Sequence, residues 1–305
     1  MSMTVYFAKL NLISEDLFDL YDNPKQKKDL SSGLYSAVNS NAVWEKENVF
    51  IDDDGEQHST IIEYSIQVLR TDNTYTYIEG WLYKKSRLYY KTLDSRTKKL
   101  VKQSTQNTEG IRFTLDVNHG FVGYNTSTRF GYKEFTEAFV NLINKGEEIS
   151  DFDYQYNISM CTSGIDLNDI RKGLGNIGRI KELRIRMQPP NPSDDLLNEM
   201  QMRFEGLVED FKDANVTGLE LFYSTNGERG INLDSPFVKD RIDDIQGLHS
   251  ALPIEEATKK GYVSVDATSL SGRVYSSGET KPFRKVIDGL EDFFGACIET
   301  FRQLW

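Results

Sequence analysis

From residue 61 to residue 124 the chain repeats one unit: a β-prone run, a turn and another β-prone run. IIEYSIQVLR (61–70) and YTYIEGWLY (75–83) are dense in β-branched and aromatic residues, and Asp72-Asn73 between them is turn chemistry. Residues 87–93 and 98–102 flank Asp94-Ser95-Arg96; residues 111–117 and 120–124 flank Asn118-His119. Such short turns return each strand beside its predecessor, so the pattern predicts an antiparallel meander. A further β-prone run covers 5–12, and short helices fit 14–20 and 28–38.

The pattern changes near residue 130. YKEFTEAFVNLI (132–143) places Phe135, Ala138, Phe139, Leu142 and Ile143 on one helical face, and Lys145-Gly146 reads as its stop. Beyond residue 151 the periodicity predicts a strand at 153–160, a helix near 166–173, a strand at 180–188 and a helix at 194–213. A strand at 217–223, a helix at 236–248, strands at 262–267 and 272–276 and a helix at 283–303 follow. Ser235-Pro236 is a fair helix start. Pro189-Pro190-Asn191-Pro192 stops a strand or acts as a hinge. The fold class is therefore α+β. Residues 1–150 form a strand-rich unit with short helices, and residues 151–305 an α+β unit ending in a long amphipathic helix. The two long apolar stripes, at 196–211 and 283–304, read as core or as a dimer seam.

Nothing in the N-terminal sequence resembles a signal peptide, and no run approaches the roughly 18 apolar residues of a membrane span. The two cysteines, Cys161 and Cys297, sit in apolar patterns with no CxxC spacing, so buried thiols in a reducing cytoplasm are expected.

The formal charge of −11 is unevenly spread. Segment 81–102 holds eight basic residues, among them Lys84, Lys85, Arg87, Arg96, Lys98 and Lys99, against the single acid Asp94. Trp81, Tyr83, Tyr89 and Tyr90 are interleaved with them. Segment 170–192 holds Arg171, Lys172, Arg179, Lys181, Arg184 and Arg186 against Glu182 alone. These windows carry +7 and +5, which leaves −23 on the rest of the chain. Fixed Lys and Arg donors suit phosphates, and interleaved aromatics suit stacking on bases. The alternative is a solvated hairpin whose lysines guard a sheet edge or pair with acids of the same chain. Arg184 and Arg186 alternate with Leu183 and Ile185, which places both arginines on the exposed side of a strand.

Catalytic signatures are sparse. Gly173-Leu-Gly175-Asn-Ile-Gly178 matches GxGxxG in letters, but a helix precedes it and a strand follows, the reverse of a dinucleotide site. It reads as a glycine loop or connector, so no cofactor is expected. Asp266 with Glu279 and Lys281 spells D…ExK, the set with which metal-dependent nucleases hold Mg²⁺ and align water; here ExK falls in a loop instead of a strand. Asp52-Asp53-Asp54-Gly55-Glu56 lacks the ligand spacing of a calcium loop and reads as a turn. His58, His119 and His249 are scattered, with no pair at metal spacing.

One stretch resembles a known family. Asp116-Val-Asn-His-Gly-Phe-Val-Gly-Tyr-Asn-Thr-Ser127, followed by Arg129-Phe-Gly-Tyr-Lys-Glu-Phe-Thr-Glu-Ala-Phe139, is similar to the central region of the RexA-like phage-exclusion proteins of lambdoid prophages. Strands like those at 153–160 and 180–187 follow in that family. The region 261–274 leading into the last helix resembles wider bacterial defence-associated proteins. The resemblance implies a two-domain α+β homodimer that binds DNA with little sequence preference and works with a membrane-protein effector in abortive infection. No functional residue is carried over from it. Three functions are thus expected in turn: a non-enzymatic DNA-binding or DNA-sensing protein of phage exclusion; a metal-dependent nuclease centred on Asp266, Glu279 and Lys281; or an acidic interaction protein that mimics DNA or binds a basic partner.

Overall fold

The computed structural model describes residues 2–14, 17–22, 24–51, 55, 57–192, 212–247, 254–288 and 293–304. β1 (Ser2–Leu12) is followed by α1 (Leu17–Asp22) and α2 (Pro24–Asn39). Then come β2 (Val43–Ile51), β3 (Gln57–Thr71), β4 (Tyr77–Leu93), β5 (Leu100–Asp116) and β6 (Phe121–Asn125). This meander leads into α3 (Tyr132–Ile149) and β7 (Tyr156–Met160). The remaining described elements are α4 (Leu167–Asn176), β8 (Ile180–Met187), β9 (Leu219–Ser224), α5 (Pro236–Gly247), α6 (Ile254–Lys259), β10 (Val263–Ser269), β11 (Val274–Ser276), α7 (Ser277–Thr280), β12 (Arg284–Asp288) and α8 (Phe293–Leu304). The fold is α+β, strand-rich at first, with strands and helices alternating later.

The large sheet runs in the order β12-β1-β6-β5-β4-β3-β2, with β7 pairing β1 as well. β12 takes Ser2–Tyr6 of β1 and β7 takes Ala8–Leu12, end to end along one edge. The sheet thus draws strands from both sides of residue 150. Its turns behave as their composition demands. Asp72 Oδ1 accepts the N–H groups of Thr76 and Tyr77 at 2.7 and 2.8 Å, closing the β3–β4 hairpin.

One face of this sheet packs on α1, α2 and α3 through Leu10, Tyr64, Ile78, Leu82, Phe113, Tyr124, Phe135 and Phe139. The expected apolar face of α3 is buried in full. The helix nevertheless runs past the expected stop at Lys145-Gly146 to Ile149, because Gly146 is the point where α3 crosses α2. The opposite face is covered by α8, whose Phe301 meets Phe7, Tyr77 and Phe121 at ring-centroid distances of 5.9, 6.4 and 6.2 Å. The helix expected over 283–303 therefore divides. Residues 284–288 are strand, since their backbone completes the edge of β1 with Ile287 buried and Val286 exposed.

The smaller sheet, β11-β10-β8-β9, is wholly antiparallel and packs one face on α4, α5 and α6 through Ile170, Leu174, Leu183, Ile185, Val238, Ala257 and Val265. The proline run is a buried junction. Asn191 accepts from Leu12 N at 3.0 Å, donates to Leu10 O at 2.7 Å, and its N–H reaches the Tyr262 hydroxyl at 3.0 Å. The helix expected over 194–213 falls almost entirely outside the described residues. Among the described residues no helix is long and apolar enough to cross a membrane.

Candidate nucleic-acid interface

β4 and β5 pair without a bulge over their whole length, from Tyr77 opposite Asp116 to Leu93 opposite Leu100. The runs read separately at 75–83 and 87–93 are one 17-residue strand. Because successive strand residues point to opposite faces, this continuity sorts the basic window by parity. Even-numbered residues of β4 face the helical layer: Ile78 and Leu82 enter the core, and Lys84 pairs with Glu134 of α3 at 2.8 Å. Odd-numbered residues share the other face in the order Trp81, Tyr83, Lys85, Arg87, Tyr89 and Lys91. Tyr90 lies off that face.

The end of the ribbon, roughly residues 87–106, is largely solvent-exposed. Asp94 organises its turn, accepting the N–H groups of Thr97 at 2.6 Å and Arg96 at 3.0 Å. Those bonds, that from Thr97 foremost, hold its carboxyl below the usual range. Lys98 takes a left-handed φ of 57°. Arg87, Arg96, Lys98 and Lys99 are exposed and make no ion pair among the described residues. Lys85 is paired with Glu63 of β3 at 2.6 Å. With Ile61, Glu63, Ser104 and Gln106, Lys85 and Arg87 line a cleft of about 410 Å³ where β3 parts from β4.

The second basic segment is arranged differently. Arg184 and Arg186 do occupy the solvent side of β8, with Leu183 and Ile185 buried beneath. There, however, Arg184 meets Glu220 at 2.9 Å, and Arg186 meets Glu220 at 3.0 Å and Asp266 at 3.1 Å. Arg179 donates to the Glu228 carbonyl at 2.8 Å. Arg171 and Lys172 are exposed on α4, away from the ribbon's strands in sequence and sheet. The two basic windows thus belong to different sheets.

The glycine motif is not a loop. α4 continues through Gly173 and Gly175, and a Cβ at Gly173 would stand 2.1 Å from the Tyr275 ring. Gly178, at φ 86°, ends the segment. The residues of D…ExK each hold another partner. Asp266 pairs with Arg186, Glu279 with Lys133 at 2.7 Å, and Lys281 with Asp169 at 2.6 Å. Glu279 lies on the one-turn α7, not on a strand. No group of three His, Cys, Asp or Glu side chains among the described residues is placed to hold a metal ion. His119 lies 2.9 Å from the buried Asp116 and is part of the β5–β6 turn. Cys161 and Cys297 are both buried, and burial pushes each thiol up to about 12.

The family described as a domain of unknown function, DUF4747, matches residues 23–251. The chain belongs to the DUF4747 family. The DUF4747 match covers the ribbon, α3 and β8–β9, and ends before β10, β11 and β12, which complete the two sheets. A search of curated proteins finds no match to this DUF4747 chain.

Sequence reasoning missed two things at this site. The first is that Trp81, Tyr83, Lys85, Arg87, Tyr89 and Lys91 share one face; the odd numbering carried that signal once 77–93 is a single strand. The second is Gly110, which lies opposite Tyr83 on β5.

Proposed function

We propose that this DUF4747 protein is a non-enzymatic nucleic-acid-binding protein that holds DNA with little sequence preference along the β4–β5 ribbon. The observation that carries this reading is the set of exposed cations on the ribbon that make no ion pair among the described residues, Arg87, Arg96, Lys98 and Lys99, beyond the layers that cover the sheet. Phosphate contacts of this kind give affinity without sequence readout, and the acid-rich remainder of the chain confines the polyanion to that surface. Lys84 and Lys85 contribute less, because Glu134 and Glu63 already neutralise them. Arg184 and Arg186 are paired in the same way and are left out of the interface. A role in phage exclusion draws its support from the sequence similarity of residues 116–139 to RexA-like proteins.

The test is fluorescence anisotropy with labelled DNA at several salt concentrations, comparing the native chain with an Arg87/Arg96/Lys98/Lys99→Glu variant. Salt-sensitive binding that the variant loses supports the reading. Binding that the variant retains, or none at low salt, removes it.

A further inference from the structure

We propose that the ligand of the ribbon is single-stranded, and that its bases stack on Trp81 and Tyr83; this rests on the reading of the ribbon as a nucleic-acid interface. The two rings lie side by side, centroids 6.3 Å apart and planes within 15° of each other. They are stacked near-parallel instead of packing edge to face. Beneath them is bare backbone. A Cβ at Gly110 would stand 2.9 Å from Trp81 Cε3 and 3.1 Å from Tyr83 Cε1, so any side chain there would lift the rings off the strand. Both rings remain part-exposed. Part-exposed, sequence-tolerant aromatic rings beside a run of cations are what unstacked bases and their phosphates require together. Lys85, Arg87, Tyr89 and Lys91 extend that alternation along the same face.

The width of the sheet decides against a duplex at this point. Across from Tyr83 lies Ser65 of β3, and across from Ser65 lies Val43 of β2. With β5, four strands stand abreast under the rings. At about 4.8 Å per strand they span about 14 Å between outer backbones, more than the roughly 12 Å of a major groove. A duplex therefore could touch Trp81 and Tyr83 only with its sugar-phosphate edge, where stacking has no partner. The path of the strand is also set. Glu45 and Glu47 of β2 share this face and repel phosphate, which leaves the track along β4 and β5 toward the Arg96 turn.

The experiment uses the full chain with a labelled oligo(dT) of about 12 nucleotides and a hairpin duplex of equal length. Anisotropy and tryptophan fluorescence are read at matched salt. The expected result is at least tenfold tighter binding of the single strand, with quenching of Trp81. Trp81→Ala and Tyr83→Ala should each weaken binding by about tenfold while leaving the salt slope unchanged, and Trp81→Phe should retain most of the affinity. Duplex binding as tight as single-strand binding, or no effect of Trp81→Ala, would overturn the stacking proposal. In that case the charge-reversal variant still loses binding, and the ribbon stands as a phosphate-binding surface. No binding of either probe at low salt would remove the interface itself.

Discussion

Gly146 of α3 lies directly against the backbone of Ala37 in α2: a Cβ on residue 146 would stand 2.4 Å from the Ala37 carbonyl oxygen and 2.8 Å from its Cα. The neighbour is backbone and cannot rotate aside. Gly146→Ala is therefore expected to destabilise the protein by about 1–3 kcal/mol or more, by forcing the helices apart. Gly175→Ala should do the opposite. It lies inside α4 with nothing within 4 Å of the added methyl, so a gain of about 0.5–1 kcal/mol is expected. Urea midpoints of the two variants, which should move in opposite directions, check the pair.

The next residue along, Glu147, is fully buried, and neither of its carboxyl oxygens has a hydrogen-bond partner among the described residues. Burial pushes its pKa up from 4.5 to about 8. Between those values the folded chain holds a proton that the unfolded chain has released. Stability should therefore fall as pH rises from about 4.5 to 8 and then level off, an effect of a few kcal/mol in all. Glu147→Met removes the ionisable group at similar size. It should flatten this slope and give the larger gain at the alkaline end. Denaturation measured across that pH window checks the sign; a variant whose stability falls as steeply as the native chain's would refute it.

Glu79 is also buried, but it is paired. Its two oxygens receive Arg70 Nε, at 2.6 Å, and Arg112 Nε. The guanidinium groups in turn lie over the Phe294 and Phe293 rings at 4.4 and 5.0 Å, at the start of α8. Removing the carboxylate takes away the charge that Glu79 supplies to both Arg70 and the part-buried Arg112, so Glu79→Ala should cost about 3–5 kcal/mol. Glu137→Ala, which breaks the exposed pair with Lys46, should cost under about 1 kcal/mol. Thermal unfolding of the two variants side by side gives the contrast.

The cysteines should be inert while the chain is folded. Both thiols are buried and protonated through the neutral range. A thiol-reactive dye at about pH 8 is expected to label neither within minutes, and to label both once denaturant is added. Rapid labelling of Cys297 in the native protein would show that α8, which carries it and buries it against the sheet, opens.

Much of the fold follows from local chemistry. The turn at Asp72 forms because its carboxylate caps the N–H groups of Thr76 and Tyr77. The face of α3 is legible because Phe135, Phe139 and Leu142 recur at helical spacing. The exposure of Arg184 and Arg186 follows from their alternation with Leu183 and Ile185. The misreadings share a cause as well. Gly146 carries a local stop signal that a close helix crossing overrides. Residues 284–288 continue an apolar helical stripe in letters, yet they gain more from pairing with the distant N-terminal strand, Ser2 opposite Asp288 and Tyr6 opposite Arg284. Gly173 looks like a loop glycine and is instead the space for Tyr275.

For the candidate site the division is similar. Composition alone identified a basic, aromatic window at 81–102, since clustering of charge is a property of the chain. Which of those cations stay available is a matter of partners distant in sequence. Glu134 and Glu63 claim Lys84 and Lys85, and Glu220 and Asp266 claim Arg184 and Arg186. The seat of Trp81 and Tyr83 likewise depends on Gly110, which only the β4–β5 register brings beneath them. Hairpins, helix faces and charge windows are set by neighbours a few residues apart and can be read in order along the chain. Ion pairing, close crossings and cross-strand register arise between residues that folding alone makes adjacent, and no local pattern encodes them.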